Sequence, residues 1–163
     1  QDALKAFDDA VAADPNDLRP RILTGNLFLE KYDSGNAATE LGAVLQINPN
    51  HPQALLSMAR RMRFDGDETS IAMAESALQI NPNLIGARVF LSRQLLSAER
   101  FDDAIKEITP ALETNPVSLE ALPILAAANY LRGDAIRFEE IRNRILHSIL
   151  ITRISTIRWP SCL

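Results

Sequence analysis

The sequence predicts an all-α fold, an α–α superhelix of stacked helical units, on three observations. Four prolines recur in one setting, Asp14-Pro15-Asn16, Asn48-Pro49-Asn50, Asn81-Pro82-Asn83 and Asn115-Pro116-Val117, separated by 34, 33 and 34 residues. An apolar stretch with helical spacing precedes each of them. Columns of small and large apolar residues repeat with the same period.

Proline has no N–H and drives the residue before it out of the helical region, so a helix must end at each Asp or Asn of the four turns. These residues also tolerate turn conformations. The stretches AFDDAVAADP, LGAVLQINP, AESALQINP and ITPALETNP are therefore helix C-termini, and a new helix opens after each. Pro20 and Pro52 suit a first helical turn, where a missing donor costs little. Between the prolines, small residues recur at Gly25, Ala59, Ser92 and Ala126, and again at Ala3, Ala37, Ser70 and Ala104. A third column holds Ala10, Val44, Ala77 and Ala111, followed at once by Val11, Leu45, Leu78 and Leu112. Small residues let helix backbones approach, and large ones fill the space between neighbours. A lone unit cannot bury this pattern, whereas stacked neighbours can.

The pattern resembles the tetratricopeptide repeat (TPR) family of bacterial-type proteins, whose unit is a helix–turn–helix of about 34 residues. Residues 85–118 carry it without a gap, in Leu91-Ser92, Leu95, Ala104, Ile108, Ala111 and Pro116. Residues 18–51 show Gly25, Phe28, Ala37, Leu41 and Pro49, and residues 52–84 match with one residue deleted before Ser70. Residues 1–17 supply only a second helix, and residues 119–146 form a degenerate repeat with Phe138 where alanine is expected. The resemblance thus covers a TPR-like solenoid over residues 1–146. Two departures stand out. Arg21 and Arg88 replace a bulky apolar residue, which predicts looser packing there. Pro110 falls inside a second helix and is expected to bend or break it near Lys106–Pro110.

Residues 147–163 form an atypical C-terminal tail, rich in β-branched residues, with the only tryptophan and no acid. The period calls for proline at position 150, where Leu150 stands. A frameshift after Leu146 accounts for this, since restoring one nucleotide can return Asn-Pro to that place; the alternative is a divergent terminal cap. Ile145, Ile149, Leu150, Ile154 and Ile157 approximate a helical stripe, so the tail is expected to extend the last helix, with Pro160 as its stop. Apolar surface at an uncapped end would favour a homo-oligomer.

The chain has 163 residues, a formal charge of −4 and 47% apolar residues. An acidic balance argues against nucleic acid as a partner. No run reaches the ~18 apolar residues of a membrane span, and the lone Cys162 excludes an internal disulfide. No signal peptide is visible, which favours the cytoplasm, although a chain opening in mid-repeat leaves room for an upstream leader. Neither His51 nor His147 has partners at metal-ligand spacing, and no glycine-rich phosphate loop occurs. Asp8-Asp9, Asp102-Asp103 and Glu139-Glu140 read as solvated helix faces. No catalytic residue, metal or cofactor is therefore expected, and an enzyme is not the reading.

The resemblance implies a concave groove lined by the first helices of successive units. Carried over by column, its lining is Arg19, Ile22, Asn26 and Leu29; Gln53, Leu56, Arg60 and Arg63; Val89, Arg93 and Leu96; then Ala127 and Tyr130. The ligand-binding set is accordingly Arg19, Asn26, Arg60, Arg63, Arg93 and Tyr130. Arginine grips carboxylates bidentately and tyrosine offers a rigid contact face, so an acidic segment or a C-terminal carboxylate is the favoured peptide ligand. The carboxylate clamp of some family members needs lysine where Ile22 stands, though Asn26 matches one of its residues. The expected function is a protein-interaction scaffold holding a peptide or partner helix. A repeat module cut from a larger enzyme or signalling protein is the second reading, and single-stranded RNA binding the last.

Overall fold

The computed structural model describes residues 2–156, and among them it is all-helical. The elements are α1 (Asp2–Ala13), α2 (Arg19–Glu30), α3 (Ser34–Ile47), α4 (Pro52–Phe64), α5 (Ser70–Ile80), α6 (Ile85–Ser97), α7 (Phe101–Thr114), α8 (Leu122–Leu131) and α9 (Ala135–Thr156). The chain divides into two compact units, Gln1–Ala87 and Arg88–Leu163.

Two turns alternate along the chain, and both follow from local sequence. At the Asp/Asn-Pro sites the side-chain Oδ1 of Asp14, Asn48, Asn81 and Asn115 accepts the N–H two residues on, at 3.0–3.2 Å. The N–H of the same four residues donates to the carbonyls of Ala10, Val44, Ala77 and Ala111, closing the last helical turn. Proline can follow because the chain has already left the helix. Within each hairpin the N–H of Asp33, Asp67, Arg100 and Asp134 reaches back to the carbonyl of Phe28, Met62, Leu95 and Asn129, each at 2.9 Å. This is the six-to-one closure of a Schellman turn, which requires a left-handed residue just before the donor. Gly66 (φ 80°) and Gly133 (φ 87°) fill that place in two hairpins; Tyr32 (φ 61°) and Glu99 (φ 57°) fill it in the others.

In the first unit the core gathers Ile22, Leu41, Val44 and Ala54, with Leu18, Leu29, Leu45 and Met58 against it. Gly25 sets how closely α2 and α3 approach: a Cβ there would lie 2.8 Å from Leu41 Cγ. In the second unit Leu122, Ala126 and Ile141 form the centre, packed by Leu112, Leu125, Phe138 and Ile145. Phe138, which stands in an alanine column, is thus accommodated as a core residue of the α8–α9 hairpin.

Arg21 and Arg88 are each drawn into an ion pair inside their own hairpin. Arg21 Nη1 lies 3.1 Å from Glu40 Oε2, and Arg88 Nη1 lies 2.9 Å from Glu107 Oε1. At the same repeat positions the other two hairpins carry Leu55 with Met73 and Leu122 with Ile141. One column pair is therefore ionic in alternate repeats and apolar between them, so each arginine arrives with its own acid.

The expectation of a break at Pro110 is corrected: α7 is one continuous helix from Phe101 to Thr114 with Pro110 inside it. Ala104 and Ile108 before Pro110 and Ala111 after it are buried in the core. The carbonyl that loses its donor belongs to Lys106, which is exposed and can give it to water. Thr109 and Thr114 hydroxyls donate to the carbonyls of Ile105 and Pro110 on the same helix.

The tail residues 147–156 continue α9, and the remaining ones, with Ile157, Trp159, Pro160 and Cys162, lie outside the described residues. Leu146, Ile149 and Leu150 are exposed on α9. No helix among the described residues is long and apolar enough to cross a membrane.

Candidate functional site

In the first unit α2 and α4 flank an open cleft of about 460 Å³, lined by Leu23, Asn26, Leu29, Glu30, Arg60 and Phe64. Helical geometry explains the set. Leu23, Asn26 and Glu30 recur at three and four residues on α2, and Arg60 and Phe64 are four apart on α4, so each group shares a face. Gly86 bounds the position of Arg60: a Cβ on it would lie 3.2 Å from Arg60 Nη2 and 2.9 Å from Leu56 Cδ2. Phe64 carries a second aromatic neighbour, Tyr32, with ring centroids 5.9 Å apart. The cleft is thus apolar along much of its wall, with Arg60, Glu30 and Asn26 as its charged and polar lining.

Of the residues expected in a groove, Asn26, Leu29 and Arg60 meet in this cleft. Three apolar ones do not line a groove: Ile22, Leu56 and Val89 are buried in the core. The column frame is rotated by about one residue, and hydrophobic burial turns these side chains inward. Arg19 is clasped by Asp17, with Nε 2.9 Å from Oδ1 and Nη2 2.7 Å from Oδ2. The Arg19 guanidinium and backbone N–H together hold the Asp17 carboxyl down to about 2. Arg63 is exposed in the last turn of α4, where its charge complements the helix C-terminus.

The remaining two candidates belong to the second unit. Arg93 is exposed on α6. Tyr130 is exposed on α8, its ring 5.3 Å from that of Phe138.

Leu23, Glu30, Phe64 and Tyr32 are the residues that column reasoning missed. The first three were available from the three-and-four spacing around Asn26 and Arg60. Tyr32 was available from aligning the hairpin turns, where it stands in register with Gly66 and Gly133.

The second unit also holds a cavity of about 230 Å³ whose wall includes Arg132, Arg137, Glu140 and Arg144. Its charges serve the fold. Arg132 bonds Asp102 on α7, Asn129 on α8 and Asp134 in the turn before α9. Asp102, and after it Asp134, raise the Arg132 pKa above its ordinary value by hydrogen bonding. Arg137 pairs with Glu140, and Arg144 donates to the Pro116 carbonyl. His51 likewise has a structural task, its Nδ1 accepting from the Ala54 N–H at the start of α4. No group of three or more His, Cys, Asp or Glu among the described residues could hold a metal ion.

Paired helices closed by Schellman turns and joined by Asx-proline turns define a tetratricopeptide-type fold. Solved structures carry the same statement. The crystal structure of MamA superposes with a TM-score of 0.69 at 16% identity, over 93% of this chain and 89% of that one. A thermophilic TPR protein of Thermus thermophilus gives 0.69 at 15% identity, over 90% of this chain and 89% of that one. A tetratricopeptide repeat protein from Parabacteroides merdae gives 0.63 at 17% identity, over 94% of this chain and 60% of that one. No family model matches the chain, and no curated protein matches it.

Proposed function

We propose that this chain is a protein-interaction scaffold that holds a peptide segment or a partner helix on the exposed faces of its first helices. The observation that carries the reading is the α2–α4 cleft, open to solvent and lined by exposed Leu23 and Phe64 beside Arg60 and Asn26. Apolar walls supply affinity through burial, and a few polar groups fix orientation. Arg93 and Tyr130 extend the proposed contact set in the second unit. Arg19 and Arg63 complete it as peripheral charges, Arg19 by exchanging its bond to Asp17. The likeness in fold to TPR proteins is consistent with such a role, and fold alone does not assign it.

The test compares partners retained from a native lysate by the wild-type chain with those retained by Leu23→Asp and by Arg60→Glu. Both positions are exposed, so circular dichroism should be unchanged. Partners that bind wild type and are lost from both variants, then reproduced with purified components, support the reading. Partners held equally by all three chains would remove the cleft from the function.

A further inference from the structure

We propose, building on that reading, that a polar latch of Ser34, Arg61 and Asp65 holds the α2–α3 and α4–α5 hairpins at a fixed splay about the turn at residues 48–51, and so sets the aperture of the α2–α4 cleft.

The latch is a closed set of bonds. The Ser34 hydroxyl donates to the Asp65 carboxylate, 2.9 Å from each oxygen, and accepts from Arg61 Nε at 3.2 Å. Arg61 Nη2 completes the set at 2.8 Å from Asp65 Oδ2. Ser34 opens α3, whereas Arg61 lies in the last turn of α4 and Asp65 caps that helix. The Tyr32–Phe64 ring contact crosses between the same two hairpins, from the α2–α3 turn to the end of α4.

The mechanics follow from where the tie falls. The turn at residues 48–51 joins α3 to α4 at one end, and the latch closes the other. In the core cluster of this unit, α3 contributes Leu41, Val44 and Leu45, and α4 contributes Ala54 and Met58. All five lie in the helix halves nearest the turn. In the halves nearest the latch the buried residues are the small Ala37 and Ala59, which remove little apolar area from water. The spacing of α3 and α4 at that end therefore falls to the polar contacts. Gly25 seats α2 closely on Leu41 of α3, so α2 moves with α3. Glu30 and Phe64, which line the cleft, stand four residues before Ser34 and immediately before Asp65. A splay of α3 from α4 thus widens the cleft.

The second unit carries the same tie in other chemistry. There α7 and α8 are joined through the Asn115-Pro116 turn, and at the far end Asp102, in the first turn of α7, lies 2.7 Å from Arg132, which caps α8. Ser34 and Asp102 both stand at the start of a second helix. Asp65 and Arg132 both cap the first helix that follows. The two places are bridged in both units although the residues in them differ. The Arg61 and Asp65 side chains are 30% and 34% exposed. Partly exposed pairs add little net stability, which suits a fastening that an entering partner releases.

The experiment places nitroxide labels on Lys31→Cys and Arg63→Cys, both exposed positions, in the full chain with Cys162→Ser. Electron paramagnetic resonance then reads the distance between the two hairpins beside the latch. Ser34→Ala with Asp65→Ala should lengthen and broaden that distance while far-ultraviolet circular dichroism stays that of the parent. Asp65→Asn, which removes the charge and keeps the side-chain size, should move it the same way and serves if the double change lowers helicity. Glu40→Gln cuts the Arg21 ion pair inside the α2–α3 hairpin and should leave the distance unchanged. A parental distance in the latch variants would overturn the inference and leave the cleft reading standing, since that reading is judged by partners lost from Leu23→Asp and Arg60→Glu. Equal broadening in Glu40→Gln would also overturn it, by showing general loosening. A lengthened distance with partner retention unchanged in Leu23→Asp and Arg60→Glu would support the latch and remove the cleft from the function.

Discussion

Adding one methyl at Gly25 tests whether the hairpin is held by shape or only by hydrophobicity. In Gly25→Ala the new carbon falls 2.8 Å from Leu41 Cγ and 2.9 Å from Cδ2, closer than unstrained carbons come. Leu41 is fully buried against Ile22, Val44 and Ala54, and the nearest atom is its branch point rather than a free end. Overpacking of this kind costs about 1–3 kcal/mol. Removing a mid-helix glycine returns about 0.5–1 kcal/mol, so the net effect should be destabilising, by about 1 kcal/mol. The informative measurement is the same change in a Leu41→Ala background. Leu41→Ala alone should cost about 2–5 kcal/mol by leaving a cavity. There the Gly25→Ala methyl has room, and the substitution should stabilise by about 1 kcal/mol, giving a coupling of about 2 kcal/mol across the cycle. The next repeat already carries this combination, with Ala59 and Ala74 at the equivalent positions and both fully buried. Urea unfolding followed by far-ultraviolet circular dichroism reads all four chains. If Gly25→Ala has the same sign and size in both backgrounds, close approach to Leu41 is not why glycine stands there.

Four further outcomes follow from single features. Glu40→Ala should cost about 1 kcal/mol by stripping the partner from half-buried Arg21, and the double change Arg21→Leu with Glu40→Met, copying Leu55 and Met73, should recover it in thermal unfolding. Ser57→Ala should hold or raise stability by about 1 kcal/mol, because the Ser57 hydroxyl is buried with no hydrogen-bond partner; a clear loss in urea unfolding would show that the hydroxyl is satisfied. Glu99→Gly should stabilise by about 1 kcal/mol by relieving its left-handed conformation, unless the freedom gained by the unfolded chain cancels it, which equal urea midpoints would reveal. The carboxyl of Asp17, lowered to about 2 from 3.8 by the Arg19 guanidinium and N–H, titrates lower folded than unfolded. Its contribution is complete above pH ~3.8 and disappears as pH falls through about 2; carbon-detected NMR titration should return Asp17 toward the ordinary value in Arg19→Gln.

The sequence by itself determined the all-α class, the repeat period, and the point where the Asp/Asn-Pro sites end each helix. These are local matters: a proline lacks its donor, and an Asx side chain bonds its own backbone, whatever surrounds them. The close approach at Gly25 was also legible, because small residues recur in that column. Tertiary structure alone decided which way each helix turned. Consecutive residues on a helix differ by about 100°, so a frame misplaced by one residue exchanges a buried side chain for a displayed one. That is how Ile22, Leu56 and Val89 entered the core while Leu23 and Phe64 came to line the cleft. It is also why Pro110 sits in an unbroken helix: the buried face of α7 outweighs one lost hydrogen bond on its wet side. Local rules fix where elements start and stop, whereas the burial of one face against a neighbour fixes what remains outside for a partner to touch.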